Sequence, residues 1–255
     1  MFKKIRVLVL VMILAWVALD AMRTENKAQA WETSQYIYLH PVVAGLDEDT
    51  LQYIKTQNTE QWQDIEQFFK REGESYALKL SSPVRVFWGE PIKVAPPQLA
   101  AGGSTLNIML WSLQLRWWAW RHTPDSRVKP DARIYMIYHP AENGVVLPHS
   151  VGIAKARLGL AHLFASEKMH GSNQVVVTHE LLHIYGANDH YDPANNQPLF
   201  PQGFAEPDLE PRFPQQWAEI MAGRIPLDES RAAMPRSLTD VIMGPDTAKA
   251  IGWAN

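Results

Sequence analysis

Apolar positions recur with a helical period in three stretches of the chain. The first runs from Asp47 to Arg71, where apolar residues lie among glutamines and acids. The second follows Ser104, a residue suited to cap a helix, and runs from about Leu106 to His122. The third runs from about Asn173 to Tyr185. The pattern therefore predicts three helices.

Short apolar runs bounded by turn residues predict strands between these helices. Pro83 to Trp88 is one such run and is closed by Gly89. Ala132 to Tyr138 is a second buried run, and a third, near Gly159 to Phe164, is expected at an edge of the sheet. This order of elements predicts an α+β fold, with a mixed N-terminal part that contains a twisted sheet and long helices.

The chain changes character after Ala187. From Ala187 to Gln215 it carries six prolines and shows no clear periodicity. An irregular segment of this length is usually functional or lies over the surface. We therefore predict an N-terminal subdomain, 31–186, that ends in the third helix, and a smaller irregular C-terminal subdomain, 187–255.

The second predicted helix carries a group of tryptophans: Trp111, Trp117, Trp118 and Trp120. Such a group occurs on membrane-surface helices and ligand platforms. It also occurs where a large amphipathic helix packs on a sheet, and we favour that simpler interpretation.

Composition limits the chemistry that the chain can perform. The net charge is −3, and no lysine- and arginine-rich run occurs beyond the extreme N-terminus, so nothing resembles a nucleic-acid footprint. The sequence contains no cysteine. Any metal ion must therefore be held by histidines and carboxylates.

The first 30 residues predict export. Lys3, Lys4 and Arg6 precede an apolar run from Val7 to Leu19, which is short for a membrane span and suits a signal peptide. A small-x-small cleavage site ends at Ala30, but its distance from the apolar run leaves open an uncleaved inner-membrane anchor through residues 7–19. The basic residues keep the N-terminus in the cytoplasm, so the remainder is expected to be periplasmic or secreted.

The third predicted helix carries the chemistry. His179 and His183 are four residues apart, on one face of a helix, so both imidazoles can reach one metal ion. Glu180 is placed to handle the proton of a water. Gly186 suits the end of the helix, and the turn there can return Asp189 to the metal. Two nitrogens and one oxygen would leave a fourth coordination position open.

Three alternatives stand beside this assignment. Both histidines could be ordinary core or surface residues, although the helical context and the spacing to Asp189 argue against a chance match. His190 could be the third ligand, but it lies one residue too far along. Glu206 or Glu210 could be the third ligand on a later helix, which neighbouring prolines disfavour.

The pattern H-E-x-x-H-x-x-G-x-x-D resembles the zinc-binding consensus of the metzincins with aspartate as the third ligand. The run from His179 to Tyr191 is similar to the small bacterial secreted metalloproteases called snapalysins. Glu219 to Gly223 resembles the family's Met-turn, with Met221 as its methionine. The resemblance covers only the helix and this turn. The chain differs from snapalysins in its greater length, its proline-rich insertion and its lack of cysteine.

The resemblance implies an exported zinc endopeptidase with a metzincin-like N-terminal subdomain. One catalytic Zn²⁺ would be held by His179, His183 and Asp189, with Glu180 as the general base. Met221 would support the site from beneath, and an edge strand would align an extended peptide or protein substrate.

A rival interpretation is a catalytically silent envelope protein, in which a structural zinc holds a surface for a protein partner. The intact Glu180 argues against it, because a structural site needs no general base. Structural zinc is also normally four-coordinate and closed.

Overall fold

The computed structural model describes residues 12, 30–98, 104–142 and 144–254. The predicted leader, apart from Met12 and Ala30, lies outside the described residues. Among the described residues, no helix combines the length and apolar character needed to cross a bilayer. Helices and a mixed sheet are both present, which confirms the α+β fold.

A five-stranded sheet with the order β2-β1-β3-β5-β4 forms the centre of the molecule. Its strands are β1 (Gln35–Val42), β2 (Val84–Trp88), β3 (Ala132–Pro140), β4 (Val151–Ile153) and β5 (Leu158–Ala165). The first four in spatial order run parallel, whereas β4 pairs antiparallel with β5.

The three predicted strands are confirmed as β2, β3 and β5, but the expected edge position of β5 was wrong. The three-residue β4 pairs with its outer side and forms the edge instead. The sequence analysis also missed β1, which lies between β2 and β3.

Within residues 30–254, the described part of the chain has five α-helices beside the sheet: α1 (Glu48–Thr56), α2 (Gln63–Ser75), α3 (Thr105–His122), α4 (His170–Tyr185) and α5 (Pro245–Ala250). Short 3₁₀ turns occur at Glu60–Trp62, Ala154–Ala156, Glu167–Met169 and Leu238–Asp240. The remaining strands are two-residue pairs: β6 (Tyr191–Asp192) with β7 (Gln197–Pro198), β8 (Ala218–Glu219) with β11 (Val241–Ile242), and β9 (Ile225–Pro226) with β10 (Ala232–Ala233).

The single helix predicted from Asp47 to Arg71 is two helices, α1 and α2. Gln57 takes an extended conformation at the end of α1. The side chain of Asn58 then accepts a hydrogen bond of 2.9 Å from the backbone N–H of Glu60. An asparagine side chain can thus bond to a nearby backbone N–H in place of a helical carbonyl, which interrupts the helix. The chain turns here before α2 begins.

The two faces of the sheet are covered by different helices. Alternate residues of β3 point to opposite sides: Ile134 and Met136 join a large core with α1, α2 and α4, and Tyr135 joins a smaller core with α3. The helix α3 is therefore separated from α4 by the sheet. Ser104 caps α3 by accepting a hydrogen bond from the N–H of Asn107, as predicted.

Trp31 connects the start of the described chain to its end. Its indole N–H donates a 2.7 Å hydrogen bond to the carbonyl of Ile251. Its ring packs on Phe69, Tyr185 and Trp253, with ring centroids 4.7 to 6.3 Å apart. The ring is 3% exposed, so the first residue after the predicted cleavage site is a core residue.

Replacing Trp31 with alanine should lower the free energy of unfolding by about 3–5 kcal/mol, because a buried ring and its hydrogen bond are lost. Urea unfolding measures this loss. Trp120→Ala is the matched control, since Trp120 is 78% exposed, and it should change stability by no more than about 0.5 kcal/mol. Equal losses in the two variants would contradict the assigned packing.

Candidate metal centre

Helix α4 presents one face to the core and another to the candidate site. Val177, Leu181 and Ile184 are buried against the sheet, as the spacing predicted, whereas His179 and His183 are partly exposed. The helix also lies directly against the edge strand β4. A Cβ atom at Gly152 would collide with the carbonyl oxygen of Glu180 and the Cβ of His183. Only glycine permits this approach of β4 to the histidine-bearing turn.

Gly186 ends the helix in the left-handed conformation, with φ of 106°. Its N–H donates to the carbonyl of His183, and the N–H of Ala187 donates to the carbonyl of Leu182. Residues with a side chain rarely adopt this conformation. The turn sends the chain back across the end of α4 and brings Asp189 to the two histidines.

The three predicted ligand atoms form a nearly equilateral triangle. His179 Nε2 lies 3.0 Å from His183 Nε2 and 3.0 Å from Asp189 Oδ1, and His183 Nε2 lies 3.1 Å from the same oxygen. Donors bound to one tetrahedral zinc at about 2.0–2.2 Å would lie about 3.4 Å apart. A small outward movement therefore suffices to admit a metal ion, and the group fits one.

Backbone carbonyls hold the other nitrogen of each imidazole. His179 Nδ1 lies 2.9 Å from the carbonyl oxygen of Ile220, and His183 Nδ1 lies 2.8 Å from that of Ala187. A carbonyl only accepts, so each Nδ1 carries the hydrogen and each Nε2 faces the cluster. This arrangement fixes ring orientation and tautomer, as partners behind metal-binding histidines do.

Two members of the cluster, His179 and Asp189, have strongly displaced pKa values. Burial lowers the pKa of His179, but the hydrogen bond to Asp189 and the nearby acids outweigh it and raise the pKa to about 9. Burial raises the pKa of Asp189, but the hydrogen bonds from both histidines hold it well below its usual range. A metal ion that binds here would displace protons from the same atoms.

Glu180 lies beside this cluster and is only 5% exposed. Burial raises its pKa, whereas electrostatic interaction with the two neighbouring imidazoles acts in the opposite direction. Its Oε2 is buried and has no hydrogen-bond partner within the described part of the chain. Burying an unpartnered carboxylate oxygen costs free energy. The position therefore suits a group that acts on a ligand rather than one that stabilises the fold.

The alternative ligands lie elsewhere. His190 Nδ1 is 3.3 Å from Glu219 Oε2, and its backbone N–H donates to the carbonyl of Met221. Glu206 accepts a hydrogen bond from the backbone of Gln216. Within the described ranges, the ligand atoms of His179, His183 and Asp189 lie close enough together to bind one metal ion. This group does not include His190, Glu206 or Glu210.

Tyr191 borders the cluster, although we assigned no role to it from the sequence. Its ring centroid lies 6.3 Å from that of His179, and its hydroxyl lies close enough to Asp189 to be affected by the charge of that carboxylate. Burial raises the pKa of this hydroxyl, and the negative charge of Asp189 raises it further. Tyr191 thus contributes a neutral hydroxyl beside the three predicted ligands.

Glu219 is a second residue that the sequence analysis did not single out. It is fully buried, and its carboxylate accepts hydrogen bonds from four donors: the N–H groups of Met221, Ala222 and Gly244, and the hydroxyl of Thr247. It therefore holds the buried turn at Met221, the start of α5 and His190 together. A glutamate within the apolar stretch from Ala218 to Ala222 was the available signal, because buried acids usually have specific partners.

No protein-family model matches the chain, and comparison with curated proteins found no relative.

Asp189→Asn should lower zinc affinity by more than tenfold, because the amide oxygen is a weaker ligand than the carboxylate. His190→Gln is the matched control and should retain one zinc ion per chain, since its ring lies outside the triangle. Isothermal titration with zinc at neutral pH measures both. If the His190 variant loses zinc binding and the Asp189 variant keeps it, His190 rather than Asp189 would be the third ligand.

Glu219→Gln should destabilise the fold by about 1–3 kcal/mol, because the amide NH₂ would face backbone and hydroxyl donors. Urea unfolding measures the loss. Glu210→Gln serves as the control because Glu210 is exposed, and it should have little effect. Wild-type stability in the Glu219 variant would show that the carboxylate does not hold this region together.

Proposed function

We propose that the chain is a zinc-dependent endopeptidase. The observation that carries the proposal is the triangle of His179, His183 and Asp189, oriented from behind by two backbone carbonyls and bordered by the unpartnered carboxylate of Glu180. A structural site would have no use for that carboxylate.

The donor set favours zinc. Two imidazole nitrogens and one carboxylate oxygen, without thiolates, are typical of catalytic zinc sites with an open fourth position. Zinc bound there would polarise a substrate carbonyl and activate a water as the nucleophile.

The protein residues around the triangle have separate tasks. Glu180 takes a proton from the attacking water and delivers it to the departing amine. Tyr191, whose ring lies beside that of His179, would donate its hydroxyl hydrogen to the oxygen that gains negative charge during attack. Because Asp189 adds negative charge, the metal would be a weaker Lewis acid than with three histidines.

The edge strand β4 supports an extended peptide as substrate. It is paired only on the β5 side among the described strands, and Gly152 lies in contact with the turn that carries His183. A peptide that adds to this edge by main-chain hydrogen bonds would pass beside the cluster. We propose that the enzyme acts outside the cytoplasm, as the basic and apolar leader predicts.

Glu180→Gln should lower kcat/KM on casein or a peptide library by about 10²–10⁴-fold, because the amide cannot act as a base. Zinc content, measured by mass spectrometry, should remain that of the wild type. Glu210→Gln should leave both unchanged. Chelation should abolish wild-type cleavage, and added zinc should restore it.

Retained cleavage in the Glu180 variant would overturn the proposed role of this residue. A wild-type protein that holds zinc but cleaves no peptide would favour the silent envelope protein instead.

A further inference from the structure

Helix α3 is apolar on two opposite faces, and the sheet covers only one of them. Trp111, Leu115 and Trp118 are buried against the sheet. The opposite face carries five large apolar residues that are 50% to 78% exposed: Leu106, Leu110, Leu113, Trp117 and Trp120. We call these five residues the outer face of α3.

The outer face is continuous along the helix. Its residues are spaced alternately four and three apart, which places them on one stripe. From Leu106 to Trp120 the stripe is about 21 Å long at the rise of an α-helix. Exposed apolar patches of this extent usually mark an interaction surface. The sequence interpretation, a helix packed on a sheet, thus accounts for two of the four tryptophans and leaves Trp117 and Trp120 without a partner surface among the described residues.

Positive charges border the outer face, and no acid lies on the helix. Arg116 is three residues from Leu113 and four from Trp120, and Arg121 is four residues from Trp117. At 3.6 residues per turn, the two arginines lie on opposite sides of the stripe. Both are exposed. This cationic helix belongs to a chain with a net charge of −3, so its charge is local.

We propose that the outer face of α3 docks on the surface of an anionic phospholipid membrane. Leucines and tryptophans would enter the boundary between acyl chains and headgroups, where tryptophan is favoured. Arg116 and Arg121, one on each side, would meet lipid phosphates.

A second copy of the chain is a poorer occupant. Pairing α3 with itself would place arginines at the borders of the contact, and α3 carries no carboxylate to meet them. Membrane docking also leaves the candidate metal centre accessible, because α3 and α4 lie on opposite faces of the sheet.

The absence of cysteine permits a site-specific test on the full chain. Leu113→Cys, labelled with an environment-sensitive fluorophore such as nitrobenzoxadiazole, places the probe on the outer face. Gln52→Cys is the matched control, because Gln52 is exposed on α1, across the sheet. Each protein is mixed with vesicles of phosphatidylcholine, with or without phosphatidylglycerol.

The probe at Leu113 should shift to the blue and gain intensity with the vesicles that contain phosphatidylglycerol, and nitroxide-labelled lipids should quench it. The probe at Gln52 should not respond, even if the leader holds the chain at the vesicle. Adding Arg116→Gln and Arg121→Gln to the Leu113 probe should weaken partitioning by roughly fivefold per arginine.

Three results would overturn the proposal. One is an equal response, or no response, at the two probe positions. Another is a response that is the same without phosphatidylglycerol. The third is a blue shift without vesicles that grows with protein concentration, since it would identify a second copy as the occupant.

Discussion

The candidate metal centre depends on two hydrogen bonds that lie behind it. His179 Nδ1 donates to the carbonyl of Ile220, and His183 Nδ1 donates to the carbonyl of Ala187. Both carbonyls lie in the part of the chain that follows helix α4. The helix therefore cannot orient its own imidazoles. The site requires the turn at Gly186 and the folded segment around Ile220, so residues far apart in sequence form it together.

The segment around Ile220 is in turn held by a buried carboxylate, in addition to its backbone pairing with β11. Glu219 accepts hydrogen bonds from its own turn and from Gly244 and Thr247 near the C-terminus. It also contacts His190, the neighbour of Asp189. A buried acid with this many donors is stabilising only while all of them stay in place. Glu219 thus couples the C-terminal packing to the position of the third predicted ligand.

The features that could be predicted from the sequence depend on interactions between residues close together in the chain. Ser104 caps its helix through a residue three positions away, and Gly186 ends α4 in a left-handed conformation that glycine adopts readily. The triangle was predictable for the same reason, because His179, His183 and Asp189 lie within one helical turn and one loop of each other.

The parts that were missed depend on distant or very short signals. Pro41 lies within β1, and proline in an apolar run argues against a central strand. The strand β4 is too short to show an alternation, although it sets the edge of the sheet. The donors to Glu219 come from a different part of the chain, so only the folded structure reveals its role. Trp117 and Trp120 share their helix with buried tryptophans, and the helical period alone did not separate the two faces.

The most direct test of the central claim is anomalous diffraction at the zinc absorption edge from crystals of the zinc-loaded protein. We expect one peak within about 2.0–2.2 Å of His179 Nε2, His183 Nε2 and an oxygen of Asp189, with no fourth protein ligand. A peak bound by His190 in place of Asp189, a site closed by a fourth side chain, or no peak at the triangle would contradict it.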